Sequence, residues 1–446
     1  MNQNTSAKGV GAVPPKRGIT ASIVRMFTLS QLSPLFLVAS LLLGAAALIL
    51  TPREEDPQIV VPVMDVIVNY PGASSEEVEK LATTPLENLL KQIDGVEYVY
   101  SASRPGQAVV TVRYYVGEDR EDSLVKTWDR IMSSQDIIPP GVADWIVKPV
   151  EIDDVPIVLL TLSSQNDLYD EMALRRTADE LIERIRRVEN VGKSWVVGGA
   201  KRRVSVYPDT AKLASRGIDL LEVLKAMKSA NVNLQAGTFE KGGREILFEA
   251  GPDYGNVDDV GATVVKTAHG RPVYLRDVAT ILDGAEDKDH YTRIGFGPAV
   301  DRMRTIGEVS PASIAQGQER PMVTVAIAKR KGSNAVKVAE DVIAMTEELQ
   351  GVLVPQDMMV TISRDYGETA DDKVNELVKH LSLAVVIIVV LLAVSLGFKE
   401  SLIVSLAVPM TLAITLLLDL VFGYTINRVT LFALILSLGL LVDDPI

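Results

Sequence analysis

The chain contains no cysteine in 446 residues. That absence excludes disulfides and thiolate metal sites, and a chain of this size needs no covalent staple. Basic residues are in deficit, with 45 Lys and Arg against 58 Asp and Glu and a net charge of −13. A nucleic-acid partner wants a basic face, so that class of function is set aside. The three histidines, His269, His290 and His380, are scattered. Asp287-Lys288-Asp289-His290 is the local grouping closest to a hard-cation site, and a polar loop is the simpler account. No metal site is expected. Gly192-Lys193-Ser194 has the ending of a phosphate-binding loop, yet Arg187 stands where the motif needs its first glycine. It reads better as the start of a strand. No Ser, His and acid grouping is visible by spacing, and nothing marks the chain as an enzyme. Aromatic residues amount to only 5%.

What the chain has instead is long apolar runs. Hydrophobic residues make up 47%, and the mean hydropathy of +0.20 is high for a soluble protein. The excess is concentrated in Leu29–Leu50, His380–Phe398, Ser401–Leu418 and Val429–Val442. Between the first run and the second, from Pro52 to Lys379, composition is that of an ordinary globular domain. The pattern predicts one membrane helix, a large extramembrane domain, then three closely spaced helices. Lys8, Lys16, Arg17 and Arg25 precede the first run, while Arg53-Glu54-Glu55-Asp56 follows it. This asymmetry puts the N-terminus in the cytoplasm and the large domain outside it. Leu29–Leu50 is longer than the apolar region of a signal peptide, although Gly44-Ala45-Ala46-Ala47 keeps a cleavable leader open as an alternative.

Asp443 and Asp444 end the last run, which by itself falls short of the ~20 residues a spanning helix needs. Two placements fit. Either the helix ends at the interface and both acids are wet, or it continues and carries an acidic pair inside hydrocarbon. Intramembrane acids are costly and mark ion pathways. Asp419, after Ser401–Leu418, reads as interfacial, and Pro409 lies mid-helix, where membranes tolerate a kink.

Within the large domain, three segments repeat a strand, a long helix and a strand. Met64–Tyr70 is followed by capping-box spacing at Ser74 and Glu77 and an apolar helical stripe from Val78 to Ile93. Ile157–Leu162 leads to a stripe from Met172 to Val188, and Met322–Ala328 to Ala335–Leu349 and Met358–Ser363. Such βαβ units with hairpin returns predict ferredoxin-like α+β subdomains, a scaffold and not an activity. Asn231–Gly251 reads as a long hairpin with Lys241, Gly242, Gly243 and Arg244 at its tip. A solvated turn explains the tip, and so does an arm reaching a neighbouring subunit.

Gly439-Leu440-Leu441-Val442-Asp443-Asp444, with Asn427-Arg428-Val429-Thr430-Leu431-Phe432 before it, resembles the fourth transmembrane helix of resistance–nodulation–division (RND) efflux pumps of the acriflavine-resistance, or hydrophobe/amphiphile, type. Asn69-Tyr70-Pro71-Gly72-Ala73 resembles the start of that family's first porter subdomain. Val204–Gly237 is similar to its docking subdomain entry, and Leu275-Arg276-Asp277-Val278-Ala279 to the return into the second porter subdomain. The resemblance implies a helical transmembrane bundle plus a large α+β periplasmic domain, in the bacterial inner membrane and in contact with membrane lipid. It divides the chain into a cytoplasmic segment 1–28, transmembrane helix 29–51, first porter subdomain 56–150 and second porter subdomain 151–202 and 271–320. The docking subdomain is 203–270, the third porter subdomain 321–378, and the remaining transmembrane helices are 379–398, 401–422 and 427–446.

The same resemblance implies a proton-driven antiporter for drugs or amphiphilic small molecules, working as a homotrimer with a periplasmic adaptor protein and an outer-membrane channel. It needs no cofactor beyond the proton gradient. Asp443 and Asp444 would carry the protons, and Lys241–Arg244 would tip an intersubunit arm. Family proteins continue into a second half that supplies a lysine partner for the aspartates, so a chain ending at Ile446 is not expected to transport alone. Ile157 and Val197 stand where the family often has pocket phenylalanines, which points to aliphatic or amphiphilic substrates. Pro445 replaces a common alanine. Two other readings are kept: heavy-metal efflux, for which the twelve methionines show no ladder, and a membrane-anchored scaffold that does not transport.

Overall fold

The computed structural model describes residues 33–55, 57, 61–164, 169–232, 234–251, 253–268, 270–288, 290–307, 317–395 and 397–443. Segment 1–28, expected in the cytoplasm, the first residues of the 29–51 run, and Asp444 to Ile446 therefore lie outside the described residues. The chain forms two compact units. One comprises residues 1–157, 328–341 and 365–446, and the other residues 158–327 and 342–364.

The first unit begins with helix α1 (Ser33–Leu50) and strand β1 (Val63–Asn69). Met64, Val66 and Val68 of β1 point into a core, and the residues between them face away, as the strand period of two dictates. The Ser74 capping box forms: Glu77 N–H donates to Ser74 Oγ and Ser74 N–H to Glu77 Oε2. The helix it opens is not the continuous one that the stripe predicts. Helix α2 (Ser75–Val78) passes through a π-helical turn, Glu79–Thr83, into α3 (Thr84–Leu90). Pro85 lies at the start of α3; it has no N–H to donate and crowds the carbonyl four residues back, so the turn widens there. Strands β2 (Val96–Arg104) and β3 (Gln107–Tyr114), helix α4 (Arg120–Met132) and strand β4 (Asp144–Val150) follow. The sheet runs β2-β3-β1-β4, with every pair antiparallel, which is the split-βαβ order. Leu90, Val110, Val112 and Ile131 fill the core above it.

The second unit runs through β5 (Val158–Ser164), α5 (Glu171–Ile185), β6 (Val191–Gly198) and β7 (Arg202–Pro208). Asp170 caps α5, and Gly192-Lys193-Ser194 sits in β6 as ordinary strand. Helices α6 (Thr210–Ser215) and α7 (Leu220–Ala230) lead to the hairpin β8 (Leu234–Lys241) and β9 (Arg244–Ala250). Helix α8 (Val257–Gly261), strands β10 (Val264–Ala268) and β11 (Arg271–Tyr274), α9 (Leu275–Val278) and β12 (Ala279–Ala285) come next. Strand β12 pairs back onto β7, and Leu213, Val223, Val260, Val273, Leu275 and Val278 form a separate small core. Strands β13 (Arg293–Gly295), β14 (Thr305–Ile306) and β15 (Glu319–Lys329), helix α10 (Ala335–Leu349) and strand β16 (Met358–Asp365) complete the extramembrane elements. One sheet has the order β13-β15-β5-β16-β14, with β6 also on β15. Across β15 and β5, Thr324 and Thr161 are direct partners and their hydroxyls bond at 3.0 Å.

The first unit closes with α11 (Tyr366–Ser395), α12 (Phe398–Phe422) and α13 (Arg428–Asp443). Helix α11 starts well before the predicted boundary at 379 because no breaker interrupts it; Gly367, Ala370, Val374 and Leu377 give its polar first turns a buried face. Pro409 lies inside α12 without ending it, and Gly423 closes that helix in the left-handed conformation. Among the described residues two helices, Tyr366–Ser395 and Ser401–Phe422, are long and apolar enough to cross a membrane, while Pro34–Leu50 and Arg428–Ser437 are shorter apolar helices. Leu377, Leu392, Val408, Leu412, Leu431 and Leu434 pack as a bundle core, joined by Leu48 from α1. The outer faces stay bare: Val394 is 84% exposed and Leu436 82%. An apolar surface of that kind marks a side that faces a membrane or another protein surface.

Candidate functional site

Helix α13 carries the first of the two predicted proton-binding acids, Asp443, as its last residue. Asp444 lies outside the described residues. The other end of α13 is built with care. Buried Asn427 accepts hydrogen bonds at its Oδ1 from Val429 N–H and Thr430 N–H, both 3.0 Å, while Thr430 Oγ1 accepts from Asn427 N–H at 3.0 Å. Those bonds satisfy donors that a helix start leaves open. Asn427 Nδ2 reaches back to the carbonyl and hydroxyl of Thr425, each at 3.2 Å. With the N-terminal end fixed, fifteen residue steps of ~1.5 Å place Asp443 roughly 22 Å away along the axis.

The segment after α1 meets this capped end. Ile426 N–H donates to Pro52 O at 2.9 Å and Glu54 N–H to Ile426 O at 3.0 Å, a short parallel bridge. Arg53 bonds Asp371 and Asn375 on α11, and its carbonyl accepts from Ala335 N–H at the start of α10. Glu54 turns inward. Its Oε1 accepts from Lys329 Nζ at 3.0 Å and its Oε2 from Thr425 Oγ1 at 3.4 Å. Lys329 also donates to Asp153 Oδ1 at 3.0 Å. The Lys329 and Glu54 side chains are only 8% and 3% exposed. A buried ion cluster thus joins four chain segments, and sequence reading found none of it. The signal was Arg53-Glu54-Glu55-Asp56, read only as a topology marker; nothing in the sequence ties it to Lys329 or Asp153.

The hairpin tip has the shape its glycines allow. Gly242 and Gly243 have φ of 62° and 73°, both left-handed, as a two-residue I′-type connection requires. Phe239 and Ile246 are direct partners across the hairpin, and both are exposed together with Leu247. Of the predicted pocket residues, Ile157 is buried and Val197 lies half-exposed on β6. They belong to different units. A cavity of about 1040 Å³ runs along α5 and is lined by Arg175, Arg176, Arg184, Asp179 and Glu183 among others. Its charged walls do not suit an amphiphile, since ligand pockets are mostly apolar. An apolar cavity beneath Leu86, Leu89 and Trp145 holds only about 30 Å³. Asp419 lies near the end of α12 and is half-buried, and His380 is exposed on α11. Among the described residues no group of three or more His, Asp or Glu converges as a metal site.

Comparison with known proteins gives one consistent answer. The model of the AcrB/AcrD/AcrF family matches residues 31–446. Multidrug resistance protein MdtC of Pectobacterium atrosepticum is 26% identical over 418 residues, covering 92% of this chain and 38% of that protein. The protein of the same name from Pectobacterium carotovorum subsp. carotovorum is 27% identical over the same shares. The chain thus spans 38% of the length of these curated relatives.

Proposed function

The chain belongs to the AcrB/AcrD/AcrF family of RND efflux transporters, not to the enzymes, and from that premise we propose that it serves proton-driven export of amphiphilic small molecules across the bacterial inner membrane. The observation that carries this reading is helix α13: an apolar rod, capped at Asn427 and ending on Asp443. A carboxyl group on such a helix can bind and release a proton where an apolar side chain cannot, and Asp443 and Asp444 are the proposed carriers. Protonation changes the charge that α13 must accommodate in the membrane, and that change is the driving step.

The mixed α+β units are the periplasmic porter and docking parts in this reading. The exposed Phe239–Ile246 pair supports an arm that inserts into a neighbouring subunit of a homotrimer. A periplasmic adaptor and an outer-membrane channel complete the path. The resemblance offers Ile157 and Val197 as substrate-contacting candidates, and aliphatic side chains at those two positions in a chain with 5% aromatic residues favour flexible amphiphiles over flat ring systems. The relatives are named for multidrug resistance, and the same broad class of cargo is proposed here.

The test is made in a transport-competent form that includes the family's remaining length. Asp443→Asn and Asp444→Asn keep size and polarity but remove the titrating proton, so each should nearly abolish export of a reporter amphiphile. Yield should hold, because a neutral amide costs less to bury than a carboxylate. Asp419→Asn, near the membrane interface, should leave export close to normal. Proton-dependent export that survives both substitutions sinks the assignment.

A further inference from the structure

We propose that Lys329 is a positioning residue that couples helix α13 to the extramembrane part of its own unit, by holding Glu54 and Asp153 in one buried cluster. The inference rests on the transport reading above and adds to it the part that carries motion away from the acid. Three observations converge. The first is cost: an ammonium and two carboxylates are largely withdrawn from water, an arrangement that well-packed apolar side chains of similar volume often match in stability. Such a cluster is justified by what it fixes, since hydrogen-bonded charges hold a register that apolar contacts let slip. The second is position. Glu54 follows α1, Asp153 follows β4, Lys329 is the last residue of β15, and Thr425 precedes α13. The third is continuity. Thr425 bonds Glu54 and is itself held by Asn427, the cap of α13, so the chain Lys329–Glu54–Thr425–Asn427 is unbroken to the helix whose far end is Asp443. Coupling between distant sites travels through packed, hydrogen-bonded elements of this kind. A shift of α13 on protonation is delivered at its capped end to Glu54 and, through Lys329, to Asp153.

Removing Lys329 alone takes the ammonium away from two largely buried carboxylates and threatens folding, so the decisive variant neutralises the whole cluster: Glu54→Gln, Asp153→Asn and Lys329→Met together. Reconstituted in the transport-competent form, it should bind an amphiphilic dye with unchanged Kd while exporting it roughly ten-fold more slowly or worse, a coupling loss of ordinary size. Imposed proton gradients should no longer accelerate export. Lys329→Arg, which keeps the charge, should recover most of the rate. Thr425→Val removes the neutral link to Glu54 and one of the two acceptors of Asn427 Nδ2, leaving its bond to the Thr425 carbonyl; it should slow export with Kd unchanged, and it decides the matter if the triple variant fails to fold. Wild-type rates in the triple variant, or in Thr425→Val, overturn the proposal, as does a parallel fall in binding and rate, which a purely structural role would give. Asp443→Asn is run alongside. Loss of export there with normal rates in the cluster variants removes the Lys329 role alone, whereas proton-dependent export by Asp443→Asn removes the transport reading beneath it.

Discussion

Single residues carry the electrostatics of this chain in two different settings. Asp443 ends an apolar helix, while Glu222 sits on the surface of the second unit, where capping geometry sets its behaviour. The Asp219 N–H donates to Glu222 at 3.0 Å, Lys266 lies beside it, and the two together hold its carboxyl below the ordinary carboxylate range. A carboxyl with a lowered folded value adds stability at neutral pH. That contribution is lost as pH falls through the ordinary range and then through the lowered folded value. Glu222→Gln should therefore leave a shallower loss of thermal stability on acidification than the parent. Unchanged acid dependence of the melting temperature would show the cap to be inert. Capping residues were legible from spacing alone at Ser74 and Glu77. The Lys329 cluster was not, because its members are spread from Glu54 to Thr425 and only the fold brings them together.

Among the elements, the long apolar helices and the three strand–helix–strand segments announce themselves through periodicity. Helix α4 does not. Its buried face is Ser123, Thr127 and Ile131, and the two hydroxyl residues are accepted into the core because Tyr114 OH bonds the Ser123 carbonyl at 3.0 Å and Thr127 Oγ1 at 2.8 Å. Burial raises that phenol above its ordinary range, so it stays a neutral donor. A polar core face of this kind leaves no apolar stripe to read. The approach of α1 to α12 is equally silent in sequence. A Cβ on Gly44 would lie 2.2 Å from that of Ala413, so the two backbones meet through small residues. Gly44→Leu should push α1 off the bundle at a cost of about 1–3 kcal/mol. The check is thermal unfolding in detergent, and an unchanged transition would mean that α1 does not pack there. In the hairpin, deleting Lys241–Arg244 should weaken trimers while each subunit stays folded. Trimers retained in full on native gels would return the tip to a solvated turn.

At the scale of the whole molecule, charge asymmetry around α1 predicts the topology, and the absence of cysteine makes that expectation easy to test. A cysteine replacing Glu76, whose side chain is 74% exposed, should react quickly with a membrane-impermeant maleimide once the outer membrane is permeable. A cysteine at Lys16 should stay protected. The reverse pattern would invert the orientation. The central claim is that cargo movement and proton movement are one process. Its most direct measurement follows proton flux in liposomes containing a transport-competent form, with a pH gradient imposed and an amphiphile added. The account predicts that the amphiphile speeds collapse of the gradient, and that Asp443→Asn abolishes this acceleration while still binding the compound. Export of the amphiphile with no accompanying proton flux, or flux that is indifferent to Asp443, would contradict it.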